Sequence, residues 1–546
     1  MPSSYANAGR SGLHIGEMKR VPLGSVRLRD HDTNEVILIP TPSSDPNDPL
    51  RWSQAYKYYI ATLVCLAMLV CNFLAAGPTI AIVETALDFF PEDHPSRSVP
   101  RIAYFFTSTA LVQGTGNFLW VPLTNKFGRR PVYLLSYAIY LAASVWLVFE
   151  KRFAGFLVGR IVLGFGSGAA ETLAPITIAD VFFLHERGTI MALYTSFLSI
   201  GVAFGILIDG LIVIHYHWRV IYQIAAGLVA LVFLLAFFTF PETAFKRDNQ
   251  PLLETRDARK PDIEKPDMVT AQQQPPPPSS SLSRGASAKG PSYLQHLRVF
   301  HGTLTEEGLL KMFVRPLGAI LLPSVFWAAL VQSVTIGFLV AVTSNVAVAY
   351  SEAYGFAAWQ VGLAFVAAIL GSLVGIPAGG QLGDSVADWF TRRNGGVREP
   401  EMRLPGMALS LLTTPLALIL YGLGIEYRLH WICPTIGLGL LNFSITQATN
   451  ICLVYVIDAY RPIAGEITLT VLGFKSLFGF LLSFYTNPWV EEVGYLTAYG
   501  TMAAIAAGVL LLWIPLYFWG SSLRQRTWRW RLISYIHWTN DREVGE

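Results

Sequence analysis

Leu123-Thr124-Asn125-Lys126-Phe127-Gly128-Arg129-Arg130-Pro131 and Gly380-Gln381-Leu382-Gly383-Asp384 stand at matching places in two series of apolar runs. Each follows the second run of a set of six. A hydrocarbon core of about 30 Å needs roughly 20 apolar residues per helix, and working outward from the two loops finds such runs near 57–82, 102–122, 131–149, 153–178, 189–213 and 219–240, then near 314–343, 359–382, 404–424, 430–457, 463–485 and 494–519. The expected fold class is therefore an all-α, multi-pass membrane protein of about twelve transmembrane helices in two six-helix bundles. Composition agrees: AVILMFWYC make up 53% of the 546 residues and charged residues only 14%, against roughly 25% charged in a soluble domain.

The remaining segments are polar. Residues 1–55 form an N-terminal segment without a short apolar stretch before a small-residue cleavage site, so no cleaved signal peptide is expected and the first span is expected to serve as the insertion signal. Bundles are expected at 56–241 and 313–520, with a basic tail at 521–546. Between the bundles, 242–312 contains Pro275-Pro276-Pro277-Pro278 and Ser279-Ser280-Ser281. Such composition cannot bury enough apolar area to offset its ordering entropy, so a disordered linker is expected. Lys126, Arg129, Arg130, Arg187, Arg392, Arg393, Arg398 and Arg403 fall in alternate loops, and the tail holds Arg524, Arg526, Arg529 and Arg531. The Lys/Arg bias puts these loops and both termini in the cytoplasm.

The doubled loop resembles the Gly-x-Leu-x-Asp-x-x-Gly-Arg-Arg signature of the major facilitator superfamily, the first copy keeping Gly128-Arg129-Arg130 and the second keeping Gly380, Leu382 and Asp384. Asp45-Pro46-Asn47-Asp48-Pro49-Leu50-Arg51-Trp52, Pro241-Glu242-Thr243 and the loop from Asn394 to Leu404 are similar to its fungal twelve-span drug:proton antiporter branch. The resemblance implies the major facilitator fold, two six-helix bundles that rock about a central cavity to give alternating access. It also implies a secondary transporter and no enzyme. The chain departs from the pattern in two places: Asn125 replaces the usual Asp of the first loop copy, and the antiporter run of span five reads Gly201-Val202-Ala203-Phe204-Gly205-Ile206-Leu207-Ile208-Asp209-Gly210, with no Pro.

Ionisable groups inside spans are costly in lipid and default to functional candidates. Eleven residues separate Arg160 from Glu171 in span four, which leaves them about 20° apart on one face and about 16.5 Å apart along the axis. Gly164 and Ser167 share that face. In the family resembled, the arginine of Arg160-x-x-x-Gly164-x-Gly166 is linked to proton coupling; Glu171 is the group expected to exchange the proton, because an arginine stays charged at any accessible pH. Asn72, Ser167, Gln332, Asn442, Thr446 and Thr449 are the neutral substrate-contact candidates, with hydrogen bonding between helices as the alternative for each. Lys126, Gly128, Arg129, Arg130, Asp180 and Asp384 are the gating candidates, with Asp180 expected to pair with Arg129 and Arg130. Lys475, in the middle of span eleven, is expected at a gating or seam contact against Gln113 and Asn117 of span two; Asp209, toward the outer end of span five, is either a functional acid or one that reaches interfacial water.

Other classes are excluded or set behind. No Gly-x-x-x-x-Gly-Lys-Ser/Thr loop occurs, so ATP is not the expected energy source, and Gly164-Phe165-Gly166-Ser167-Gly168 reads as close helix packing. The basic residues form no extended stripe, so nucleic acid is not an expected partner. Cys65, Cys71, Cys433 and Cys452 lie in apolar runs and suggest neither a disulfide nor a metal site. No cofactor is expected; the partners are membrane lipid, a small-molecule substrate and protons, and the chain is expected to be monomeric. The antiporter resemblance and a 13% aromatic share point to proton-driven export of a hydrophobic metabolite or drug, at the plasma membrane rather than the vacuole. Uptake of a cationic amine such as a polyamine, neutralised by Glu171, is the alternative. A non-transporting nutrient sensor is a further one, set behind because the tail after Gly520 is short and basic.

Overall fold

Backbone in lipid can satisfy its N–H and C=O groups only within a helix or a closed barrel, and the long apolar runs accordingly fold as helices. The structure, a computed structural model, describes residues 24, 26–27, 39–43, 45, 47–92, 95–245, 298, 300, 302–305 and 307–536. The expected disorder of the linker falls mostly outside the described residues. The first half contains α1 (Gln54–Ala76), α2 (Ile82–Phe89), α3 (Pro95–Thr115), α4 (Asn117–Phe127), α5 (Arg129–Phe149), α6 (Phe153–Val181), α7 (Leu184–Val213) and α8 (Arg219–Thr239). The second contains α9 (Leu309–Ala319), α10 (Pro323–Gln332), α11 (Phe338–Tyr354), α12 (Ala358–Gly379), α13 (Gln381–Arg393), α14 (Met407–Glu426), α15 (Ile432–Ala459), α16 (Ala464–Val493), α17 (Tyr495–Leu511) and α18 (Trp513–Trp528).

Eleven helical segments among the described residues are long and apolar enough to cross a membrane. The twelfth span, α3 with α4, is interrupted at Gly116 and carries Arg97, Arg101, Gln113 and Asn117, which lowers its hydropathy. Span one is also broken: a 3-10 turn, Gly77–Ala81, separates α1 from α2. Two segments run past their expected limits. Helix α9 starts inside the expected linker, and α18 continues beyond 521 to Trp528, where Arg524, counted among the tail's cations, is fully buried and ion-paired with Glu401.

Within the first half α6 packs on α3 and α5, and α7 on α1; the halves meet along two seams, α7 against α12 and α3 against α16. Small residues set both. A Cβ on Gly362 would lie 3.2 Å from the Ile206 carbonyl oxygen, one on Gly114 would meet the Ser476 side chain, and one on Gly473 would lie 2.9 Å from the Phe118 ring. The glycine run of α6 acts the same way inside its bundle. Gly164 and Gly168 rest on the Thr109 and Gln113 carbonyls of α3, while Gly166 faces Tyr140 of α5, where a Cβ would stand 2.6 Å from the backbone nitrogen. The close-packing reading of residues 164–168 therefore describes their geometry.

Polar chain closes one end. Strand β1 (Val26–Arg27) pairs antiparallel with β2 (Val397–Arg398), and the Leu184 N–H donates to the Ile39 carbonyl at 2.9 Å. The N-terminal segment thus touches both halves at the end that carries the basic loops.

A steric prediction follows from the glycines. Gly168→Leu forces α3 and α6 apart and lowers stability by about 1–3 kcal/mol, the usual cost of overpacking; Gly227→Ala, with no neighbour within 4 Å, leaves it unchanged or raises it slightly. Thermal unfolding in detergent compares the two, and equal melting temperatures would refute the packing role.

Candidate functional site

Helix α6 brings two charges into the bundle, and the structure separates their roles by depth. Arg160 is fully buried. Its Nε donates to the Phe105 carbonyl at 3.1 Å, Nη1 to Leu74 at 2.9 Å and Nη2 to Ala75 at 3.1 Å, and the guanidinium lies 4.9 Å from the centre of the Phe106 ring. Leu74 and Ala75 are at the C-terminal end of α1, where carbonyls lack helical partners and a cation is favoured by the helix dipole. Arg160 therefore caps α1 at the break in span one.

Glu171 forms an ion pair with Lys475 of α16. Both side chains are buried, and the pair joins the two halves. The carbonyl of Glu171 accepts from the Tyr194 hydroxyl at 2.8 Å, and the next residue, Thr172, donates to Asn117 Oδ1 at 2.8 Å. Gln113 Nε2 reaches Cys71 Sγ at 3.3 Å beside the pair. Lys475 thus lies at the α3/α16 seam, with Gln113 and Asn117 nearby, as its position in the sequence suggests. Its partner in span four was not anticipated. Removing either member of such a pair strands a buried charge, at a cost of about 3–5 kcal/mol.

The neutral candidates do not converge on that pair. Asn442 accepts from the Ser199 hydroxyl at 2.5 Å, and Ser372 donates to Ser199 at 2.9 Å, so these three residues stitch α15, α7 and α12 together. The Thr446 carbonyl accepts from Thr195 at 3.3 Å, while Thr449 is buried one turn further along α15. Asn72 is buried next to Gly201 and donates to the Met68 carbonyl at 3.1 Å. Ser167 donates back to Gly164 at 3.2 Å and its carbonyl accepts from Cys71. Gln332, in the α10–α11 span just before a π-helical turn, is fully buried beside the Cys452 thiol. Interhelical bonding, the alternative for these residues, accounts for the contacts of Asn442, and the Thr446 backbone lies on the same seam.

Asp209 takes the first of its two alternatives, a buried acid. It is fully buried rather than at interfacial water, because the Gly77 turn closes over it.

At the basic end, Arg129 pairs with Asp180 through Nε at 2.9 Å and Nη2 at 3.3 Å. Arg130 Nη2 donates to the Phe237 carbonyl at 2.6 Å. Glu242 accepts the backbone N–H groups of Arg129 at 2.8 Å and Arg130 at 3.1 Å, placing a carboxylate on the N-terminus of α5. Gly128, at φ +99°, makes the turn that admits it, since a Cβ there would collide with the Glu242 carboxylate. Lys126 contributes its carbonyl, which accepts from the Leu304 N–H at 2.8 Å. These contacts lie within the first bundle and between it and residues of the expected linker, Glu242 and Leu304. Contacts between bundles come from Arg187 and Asp458, 4.0 Å apart, and from Asp384, which pairs with Arg403 at 2.5 Å and faces Gly188 and Thr189 of α7. Glu242 and Asp458 were not among the gating candidates; Glu242 was visible only as part of a loop motif.

Removing the cap tests this arrangement. Glu242→Ala leaves the first N–H groups of α5 unsatisfied and lowers stability by about 0.5–2 kcal/mol, the range for loss of an N-cap acceptor. Asp180→Asn weakens the hold on Arg129 while leaving the α5 cap in place. An unchanged melting temperature in Glu242→Ala would remove its capping role.

A family model described as Major Facilitator Superfamily matches residues 59–462. An uncharacterized MFS-type transporter of Schizosaccharomyces pombe is 26% identical, the alignment covering 95% of this chain and 92% of that protein. Protein HOL1 of Saccharomyces cerevisiae is 22% identical over 91% of this chain and 92% of its own length. A probable drug/proton antiporter of Saccharomyces cerevisiae is 25% identical, with 92% of each chain covered. Among solved structures the proton:xylose symporter XylE superposes with a TM-score of 0.58 at 16% identity, covering 85% of this chain and 97% of that one, which bears on the fold alone. Twelve spans in two halves, a loop repeated at the same place in each, and a family match over most of both halves lead to one assignment: the chain belongs to the Major Facilitator Superfamily.

Proposed function

We propose that this membrane transporter is a proton-coupled carrier in which a proton competes with Lys475 for Glu171. The observation that carries the reading is the buried pair itself, the one ion pair among the described residues that joins α6 to α16. With Glu171 ionised, the ammonium and carboxylate satisfy each other and hold the halves together at mid-depth. A proton on Glu171 removes the attraction and frees the ammonium, so proton binding and movement of the halves share one group. Arg160 keeps its charge throughout and acts on the α1 break.

For direction and substrate the reading is export of a hydrophobic small molecule, in exchange for protons entering across the plasma membrane, by a monomer with both termini cytoplasmic. It is supported by the drug/proton antiporter among its relatives and by the aromatic content of the chain. The second reading, uptake of a cationic amine such as a polyamine, has an observation of its own: Glu171 already holds a primary ammonium, that of Lys475, and a substrate ammonium has the same chemistry.

Two experiments test these readings. Glu171→Gln removes the titrating proton with little change of shape, so pH-driven transport is lost while insertion and monodispersity persist; wild-type pH dependence in that variant would sink the assignment. Lys475→Met alone lowers thermal stability by about 3–5 kcal/mol through the stranded carboxylate, and adding Glu171→Gln restores most of it. Additive losses in that double-mutant cycle would mean the two residues do not interact. Direction is read from cells lacking the protein: export predicts higher internal drug or metabolite, whereas uptake predicts lower internal polyamine with drug retention unchanged.

A further inference from the structure

Asp209 of α7 is a second acid inside the first bundle that the Glu171–Lys475 pair does not use. It is 0% exposed, and neither of its carboxylate oxygens has a hydrogen-bond partner among the described residues. It sits in a notch made by glycines. A Cβ on Gly77 would collide with Asp209 Oδ2, and would also stand 3.0 Å from the Gly205 Cα. The charged and titratable groups facing it are Arg160 of α6 and, next to that arginine, the Tyr222 hydroxyl of α8. The 3-10 turn at Gly77 brings no titratable group to the notch, and Ala358, Trp359 and Gly362 of α12, packed along this stretch of α7, bring none either.

An ionised carboxylate without donors is strongly disfavoured in an apolar interior, whereas a protonated one is neutral. Among the described residues the cation that acts on it is Arg160, and that guanidinium directs Nε, Nη1 and Nη2 at the carbonyls of Phe105, Leu74 and Ala75. Those three bonds leave two of the five guanidinium N–H groups, so an ionised Asp209 would compete with the carbonyls for Arg160. An alkali cation would need several oxygen ligands, and the notch offers the two of Asp209 facing glycine backbone and a guanidinium.

We propose that Asp209 is a second proton-binding site, and that its proton decides whether Arg160 holds the C-terminal end of α1. With the proton on, Arg160 caps α1 and the break at Gly77 is closed. With the proton off, Asp209 draws Arg160 away from Leu74 and Ala75, and the α1 end loses its cap. The inference extends the proton-coupled reading to a second acid, but its first test needs neither transport nor Glu171.

Wild-type protein purified in detergent is treated with dicyclohexylcarbodiimide, which adds to protonated carboxyl groups in apolar surroundings, and the modified residue is located by peptide mass spectrometry. Expected is modification of Asp209 that is lost as pH rises, that is the same in sodium and potassium buffers, and that persists in Glu171→Gln. Absence of label on Asp209 at every pH overturns the proposal, and protection by sodium alone replaces the proton with that cation. For the coupling, the reactivity of Thr79→Cys at the break is measured against pH. It rises with pH in an otherwise wild-type chain and loses that dependence when Asp209→Asn is added; an unchanged profile in the double variant overturns the link to Arg160. The labelling uses the unaltered chain, so it decides the first point even if Asp209→Asn does not fold.

Discussion

A charge inside this bundle has to be met by another group of the bundle, and the Glu171–Lys475 pair is where that constraint joins the two halves. Water-filled loops can leave charges loosely matched, since an exposed pair contributes only about 1 kcal/mol or less. Buried groups cannot, because the desolvation cost of each ion is several kcal/mol before any attraction offsets it. The main buried cations of the first half follow the rule. Arg160 takes the carbonyls at the end of α1, and Arg129 takes Asp180. Lys475 takes the acid of the opposite half.

The repeated loop shows the same chemistry used twice with different outcomes. Asp384 faces Gly188 and Thr189 in the second turn of α7, and Asn125 faces Gly465 in the first turn of α16, so each copy lies against the N-terminal part of a helix in the other half. A carboxylate there favours the helix dipole, and an amide does not carry the charge to do so. The first copy is accordingly anchored by other means. Glu242 occupies the N-terminus of α5 and Asp180 takes Arg129, which moves the negative charge from between the halves to inside one of them.

The spans and the two-half organisation were legible because they rest on length and hydropathy, which are local properties of the chain. The close packing of the glycine run on α6 was legible too, though not which neighbour each glycine meets. Partners across the bundle were not, although depth held a signal. Glu171 lies ten residues from Val181 and Lys475 eleven residues from Ala464, so at 1.5 Å per residue both stand about 15–16 Å from the same end. The face each presents depends on how the helices pack, which the sequence does not state. Polar stripes left two readings open: Asn442 has the look of a substrate ligand, but a buried amide serves an interhelical bond equally well, and it accepts from Ser199 on another helix.

The two seams between the halves differ in a way that bears on motion. Along α7 and α12 the contacts are glycine against backbone and neutral hydrogen bonds such as Ser372 to Ser199, none of which changes with protonation. Beside the α3/α16 seam stands an ion pair, and on the proposed reading its strength depends on a proton. Protonating Glu171 does not by itself settle the site, because it leaves an ammonium in an apolar interior, which is again a costly state. On that reading Lys475 must then find water or another partner. On the proposed reading, proton entry and separation of the halves at that seam favour one another, which is the thermodynamic meaning of coupling between two events.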